Sequence, residues 1–269
     1  MYRLNENIIS IINLADLSMA EKIQLPGHSR TMAFHPRGEY LVAECQGMIA
    51  LVHLPTKTTL KTFWIPLPPG PERDLMEAFS ASEKCEQIID KFISITGQYQ
   101  TDEDRQKLLR HYLPKQSVFS IGFGEAGNFL FCGTNSGVSV VAWDKILAAK
   151  DGDSMNPQAF VPGEAPISED GRIERSLVYS VVADSLQRRV LFSGLEGKVR
   201  FVNFSGGAVG DLINPPFRHP IWKLELTPDR TSLIATAIPR SHGRSNKREP
   251  DSFQIWNYPA LCQQADISF

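Results

Sequence analysis

The sequence predicts an all-β fold of repeated four-stranded antiparallel units carrying one α-helical insertion, and three observations lead there. Five segments of one kind recur along the 269 residues. Four of them follow a pair of apolar runs that flank a short turn. One long interruption switches from strand-like runs to apolar residues at helical spacing.

The recurring segments are "NIISIIN" (Asn7–Asn13), "GMIALVH" (Gly47–His53), "GVSVVAW" (Gly137–Trp143), "GKVRFVN" (Gly197–Asn203) and "DSFQIWN" (Asp251–Asn257). Each opens on a turn-former and continues as an apolar run rich in β-branched or aromatic residues, which is the signature of a strand. Upstream of the last four lie "RTMAFHPRGEYLVAEC", "VFSIGFGEAGNFLFCG", "LVYSVVADSLQRRVLFSG" and "IWKLELTPDRTSLIATA". Each reads as two strands joined by a Gly, Pro, Asp or Ser turn. Thr58–Phe63 and Met19–Leu25 supply a weaker, outer fourth strand. Four antiparallel strands, repeated, make the blade of a β-propeller. The 40 residues from Asn7 to Gly47 match the period of about 40–45 expected of such a unit.

Longer spacings downstream are explained by insertions. Residues 66–114 open with "PLPPGP", then place Leu75, Phe79, Ile88, Phe92 and Ile95 near the helical period. That apolar stripe must be covered, by a second helix or by a partner. The second helix is expected from Thr101, with Asp104 returning the cap, Lys107, Arg110 and His111 suiting its C-terminal dipole, and Pro114 stopping it. Residues 145–174 are polar and read as a surface loop. Pro239–Pro250 reads as a basic loop holding Arg240, Arg244, Lys247 and Arg248. The chain thus divides into propeller blades over 1–65, a helical insertion over 66–114 and further blades over 115–269, with about four and a half blades visible.

Composition excludes several classes. A formal net charge of −2 projects no field that would draw the chain to nucleic acid or an acidic membrane. No stretch is apolar over the ~20 residues a membrane helix needs, and the first segment lacks the cleavage site of a secretory signal. Cys45, Cys85, Cys132 and Cys262 are dispersed and read as buried small apolar residues. The six histidines show no ligand pair at helical spacing. "GFGEAG" has dinucleotide-loop spacing, and "GLEGK" a shortened phosphate-loop pattern, but each is followed by a strand, so each reads as a turn. "NFS" at Asn203 is a strand end. No cofactor and no metal site are expected, and the expected compartment is the cytoplasm.

The chain resembles the tryptophan-aspartate (WD) repeat family. The residues that carry this are Gly27-His28, "FHPRGEYL" (Phe34–Leu41), "LTPDRTSLIA" (Leu226–Ala235), Trp143-Asp144 and Trp256-Asn257. The repeats are degenerate: the first complete unit has His28 but Gln46 and Val52 where the family's hydrogen-bonded network needs an Asp and a Trp. The resemblance implies a protein-protein interaction scaffold without catalysis. It leaves open the sensing portion of a larger signalling protein, or a propeller enzyme with a site at the channel mouth. Rings of this family usually hold seven blades, so completion by further blades of a longer chain, or by another subunit, is also implied.

Aligning the links before each unit's first strand collects Arg30, Lys115, Arg175, Arg218 and His219. In a propeller these links share one face, which would make a basic rim for an acidic protein partner. Ordinary surface charge produces the same pattern. Trp222 opens an apolar strand and is either core or the aromatic anchor of that rim.

Overall fold

The computed structural model describes residues 7–12, 15–96, 101, 105, 108–109, 112–164, 176–204, 209–213, 220–237 and 252–265. It separates into two units, Met1–Ile65 with Ser117–Phe269, and Pro66–Gln116.

The larger unit is mostly β, in antiparallel sheets that follow the chain in order. The first sheet pairs β1 (Ile8–Ile12) with β2 (Met19–Gln24). The second orders β3 (Ser29–Phe34), β4 (Tyr40–Cys45), β5 (Met48–His53) and β6 (Thr58–Trp64) side by side. The third contains β7 (Val118–Gly124), β8 (Phe129–Thr134), β9 (Gly137–Ala142) and, outermost, β11 (Ala159–Pro162). A short β10 (Asp153–Ser154) runs parallel to β6 on the second sheet. The fourth sheet is β12 (Val178–Asp184), β13 (Arg189–Gly194), β14 (Val199–Asn203) and β15 (Val209–Ile213). The fifth is β16 (Ile221–Leu226), β17 (Ser232–Ala237) and β18 (Ser252–Asn257).

Local chemistry fixes these hairpins. Between β4 and β5, Gln46 and Gly47 both take positive φ, 55° and 81°, which is the mirror-image turn whose twist matches paired strands. Glu44 Oε1 accepts from the Gly47 amide at 2.6 Å. Thr134 Oγ1 caps the corresponding turn between β8 and β9, accepting from Gly137 at 3.2 Å.

Successive sheets bury a shared apolar cluster. Ile9, Ile23, Leu41, Ala43 and Val52 join the first sheet to the second. Val42, Ile49 and Leu51 meet Ile121, Leu130, Cys132 and Val141 across the next boundary. Phe131, Val138 and Val140 meet Val181, Val190, Phe192 and Phe204, and Leu191 and Val199 meet Leu224, Leu233 and Ala235. Alternation on one strand therefore serves both neighbours: odd residues face one sheet and even residues the other. Two serines repeat one bond between first strands. Ser120 Oγ on β7 accepts from the Val181 amide of β12 at 3.1 Å, and Ser180 Oγ on β12 accepts from the Leu224 amide of β16 at 2.9 Å.

The surface loop expected over 145–174 is in part structured. Helix α3 (Trp143–Ala148) starts on the Trp143 that the sequence assigns to the strand end, and β10 and β11 follow it. Trp143, Ile146, Met155 and Val161 are buried. The spacing of Ile146, Met155 and Val161 among polar residues hides three anchors in a segment whose average composition is that of a loop.

A buried polar group fastens helix α4 (Tyr258–Gln264) to the fourth sheet. Tyr258 donates to Asp184 Oδ2 at 2.8 Å, and Arg189 Nε donates to the Tyr258 hydroxyl at 3.0 Å. Arg189 also reaches Cys262 Sγ at 3.0 Å and lies 3.4 Å from Asp184 Oδ2. Burial raises the Tyr258 and Cys262 pKa values, against the pull of Arg189. All four cysteines are buried and unbridged.

In the smaller unit, α1 (Pro71–Ser80) starts on a proline, with Glu72 and Asp74 in its first turn, both suited to a helix N-terminus. Ser82 Oγ accepts from the Cys85 amide and caps α2 (Glu83–Thr96). The face of α2 that is covered is Cys85 and Ile89, at 0% and 1% exposure. The stripe expected from the sequence lies outside it: Leu75 and Ile95 are 71% and 73% exposed. Arg105, Leu108 and Leu109 are helical and Arg105 bonds back to the Thr101 carbonyl. Asp104, Lys107, Arg110 and His111 lie outside the described residues, as does the basic loop 239–250.

Candidate interaction surface

The first strands of the four larger sheets, β3, β7, β12 and β16, lie successively against one another. Each carries a register shift at the same place. On β7 the shift falls between Val118 and Ser120, on β12 between Val178 and Ser180, and on β16 between Ile221 and Lys223. The extra residues are Phe119, Tyr179 and Trp222. On β3 the shift spans Arg30 and Thr31, Arg30 following the paired Ser29 directly. A bulge re-aims its extra side chain out of the strand's alternation, so Arg30, Phe119, Tyr179 and Trp222 are equivalent positions on neighbouring strands.

Three of these form a row. Phe119 meets Tyr179 edge-on at 5.6 Å, and Tyr179 stacks on Trp222 at 4.3 Å with 8° between the rings. Trp222 remains 45% exposed. Beside it on β16, Lys223 and Glu225 form an exposed ion pair at 3.6 Å. The stacking of Tyr179 on one face of the Trp222 ring restricts its rotamers while nearly half of the side chain stays open.

The residues expected at the rim fare differently. Arg30 is exposed on β3, and Trp222 occupies the bulge of β16. Lys115 belongs to the smaller unit, where its backbone bridges Pro66. Arg175, Arg218 and His219 lie outside the described residues. Phe119 and Tyr179 were missed because they stand inside apolar runs. The usable signal was the extra residue per first strand, visible only once the hairpins are aligned.

A second polar cluster sits on the fourth sheet. Lys198 contacts Glu164 at 2.7 Å and Asp211 at 3.5 Å, and Arg200 lies 3.4 Å from Asp211 and 3.7 Å from Glu164. The Glu196 carboxylate is buried beside them, and burial pushes its pKa up to about 7, against Arg200 and Lys198. Glu164 adds to the upward push. The native state then holds a proton between pH about 4.5 and about 7 that the unfolded chain releases, so stability falls as pH rises through that window. The loss is on the order of 3 kcal/mol. Glu196→Gln is expected to raise the melting temperature at pH 8 by several degrees and to leave it nearly unchanged at pH 5. Equal differences at the two pH values, in paired thermal melts, would refute this account.

Among the described residues, no group of three or more His, Cys, Asp and Glu side chains is arranged to hold a metal ion. No helix among them is long and apolar enough to cross a membrane. No family model and no curated protein matches the chain. Among solved structures, hydrazine synthase from Kuenenia stuttgartiensis is similar, with a TM-score of 0.50 at 9% identity over 94% of this chain. The match spans 58% of that chain's length. At such identity the likeness concerns fold alone.

Proposed function

We propose that the five sheets are blades of a degenerate WD-repeat propeller, and that the chain is a cytoplasmic protein-interaction scaffold with no catalysis of its own. Further blades, from a longer chain or another subunit, complete the ring in this reading. The single observation that supports it best is the half-open Trp222 at the end of a row built from one bulge repeated on successive first strands. A large aromatic held rigid and left exposed is the composition of a binding hot spot. Arg30, at the equivalent place on β3, gives the row a cation. With the cations that the sequence places before each first strand, it favours an acidic partner protein.

Affinity capture with the full chain tests this. Trp222→Ala and Arg30→Glu alter exposed side chains, so both variants are expected to fold, as checked by circular dichroism. Truncating Trp222 is expected to cost about 2 kcal/mol, or ~30-fold in affinity, for a captured partner remeasured in purified form. Reversing Arg30 should slow association and flatten its salt dependence. Unchanged affinity in both variants would remove the row from the interface.

A further inference from the structure

The first strand of the second sheet carries two open apolar side chains. On β3, Met32 and Phe34 pair with Ala43 and Leu41 of β4, and residues opposite one another on paired strands share a face. Ala43 and Leu41 are buried against Ile9 and Ile23 of the first sheet, whereas Met32 is 46% and Phe34 62% exposed. Among the described residues the first sheet holds two strands, β1 and β2. They cover this face over β4 and β5 and leave Met32 and Phe34 open.

On every later first strand the same two steps are covered. Pairing with the second strand identifies them as Ile121 and Phe123 on β7, Val181 and Ala183 on β12, and Leu224 and Leu226 on β16. Ile121, Val181 and Leu224 are buried, and Phe123, Ala183 and Leu226 pack into the clusters between sheets. The cover comes each time from the first hairpin of the preceding sheet. It is the cross-strand pair Ala33–Val42 at one boundary, Gly122–Phe131 at the next and Val182–Leu191 at the last. In all three, a smaller residue on the first strand stands beside a larger apolar residue on the second.

We propose that Met32 and Phe34 are the docking site for a two-stranded antiparallel hairpin of a partner protein, which lies on β3 as the first hairpin of each sheet lies on the next. The hairpin is recognised by a Gly, Ala or Val on its inner strand beside a large apolar residue on its outer one. Continuity of this packing over three boundaries argues for a hairpin as occupant. A second copy does not match, because on its fifth sheet the corresponding pair is Glu225–Ile234. Glu225 is exposed and ion-paired with Lys223, and docking would strip its water over two apolar side chains. The inference rests on the reading that another subunit continues the series of sheets, and it does not use Trp222.

The test uses the full chain and a backbone-cyclised peptide of residues 177–194, "LVYSVVADSLQRRVLFSG", which presents the pair Val182–Leu191. Cyclisation holds a hairpin that is marginal in isolation. Hydroxyl-radical footprinting is expected to show a saturable fall in oxidation at Met32 and Phe34 on peptide addition. Val182→Glu in the peptide, which copies the charge of the fifth sheet's pair, should weaken binding about tenfold, as should Phe34→Glu or Met32→Lys in the chain. Circular dichroism verifies the fold of both chain variants. Trp222→Ala should bind the peptide unchanged. No protection at saturating peptide, or equal affinity for the Val182→Glu peptide, overturns the proposal. Such a failure leaves capture through Trp222 unaffected, so the two readings fail separately. Protection of Met32 without peptide, rising with protein concentration alongside a dimer in sedimentation velocity, also overturns it and makes a second copy the occupant.

Discussion

Asp184→Ala is expected to destabilise the sheet unit by about 3–5 kcal/mol, the usual result of stranding a buried charge. Asp184 and Arg189 are 0% and 2% exposed. Without the carboxylate, the Arg189 guanidinium keeps the Tyr258 hydroxyl and the Cys262 sulfur as acceptors, neither of which carries a compensating charge. Arg230, 3.7 Å from Asp184 on the solvent side, loses its partner as well. Tyr258→Phe should cost less, about 1–3 kcal/mol, because it removes the hydroxyl that donates to Asp184 and accepts from Arg189 but leaves the ion pair. Replacing both charges, as Asp184→Ala with Arg189→Met, is expected to recover part of the loss, since a matched apolar pair removes the desolvation problem. Denaturant titrations of the three variants check the order. A cost below about 1 kcal/mol for Asp184→Ala would mean that water enters the site and the charge is not truly buried.

The repeat was legible because each unit states its strands twice, once in the apolar run and once in the turn that bounds it. Met48–His53 and Gly137–Ala142 are apolar almost throughout and buried on both faces, so even a pattern without alternation identified them. Tertiary choices were less legible. The third sheet takes its outer strand from Ala159–Pro162, after a helix, where two apolar residues among polar ones gave no periodic signal. The burial of Arg189 is not legible because Tyr258, 69 residues away, covers it only in the folded sheet, beside the Asp184 that faces it across the hairpin.

Bulges explain the remaining failure. Inside-out assignment assumes strict alternation, and one extra residue breaks it. On β16, Ile221 and Leu224 are buried while Trp222 is exposed, so an alternating pattern leaves Trp222 undecided between core and surface. The candidate surface is thus made of residues whose positions depend on a departure from the period that finds strands.

Trp143→Ala is expected to cost about 3–5 kcal/mol, the range for truncating a large buried aromatic, and to concentrate its effect at one boundary. Trp143 is 8% exposed and stacks on His35 at 4.5 Å and 25°. Phe123 and Tyr40 meet its ring edge-on at 5.3 and 5.6 Å. His35 comes from the turn between β3 and β4, so the stack joins the second sheet to the third. The carbonyl of Gly127 can only accept, which makes His35 Nε2 the donor at 3.3 Å, while Nδ1 accepts from the Arg37 amide. That tautomer is neutral, consistent with burial lowering the His35 pKa. A Cβ on Gly127 would lie 2.1 Å from His35 Nε2, so the approach is close enough to fix the imidazole under the indole. In stacked repeats, stability is a sum of unit and nearest-neighbour terms, so weakening this boundary should speed amide exchange in β3–β6 more than in β12–β17. Trp143→Phe, which keeps an aromatic face on His35, is expected to recover more than half of the loss. In a double-mutant cycle with His35→Ala, coupling should reach about 0.5–1.5 kcal/mol. Exchange that rises uniformly over all sheets, or a coupling of zero, would show that the two rings are neighbours without being partners.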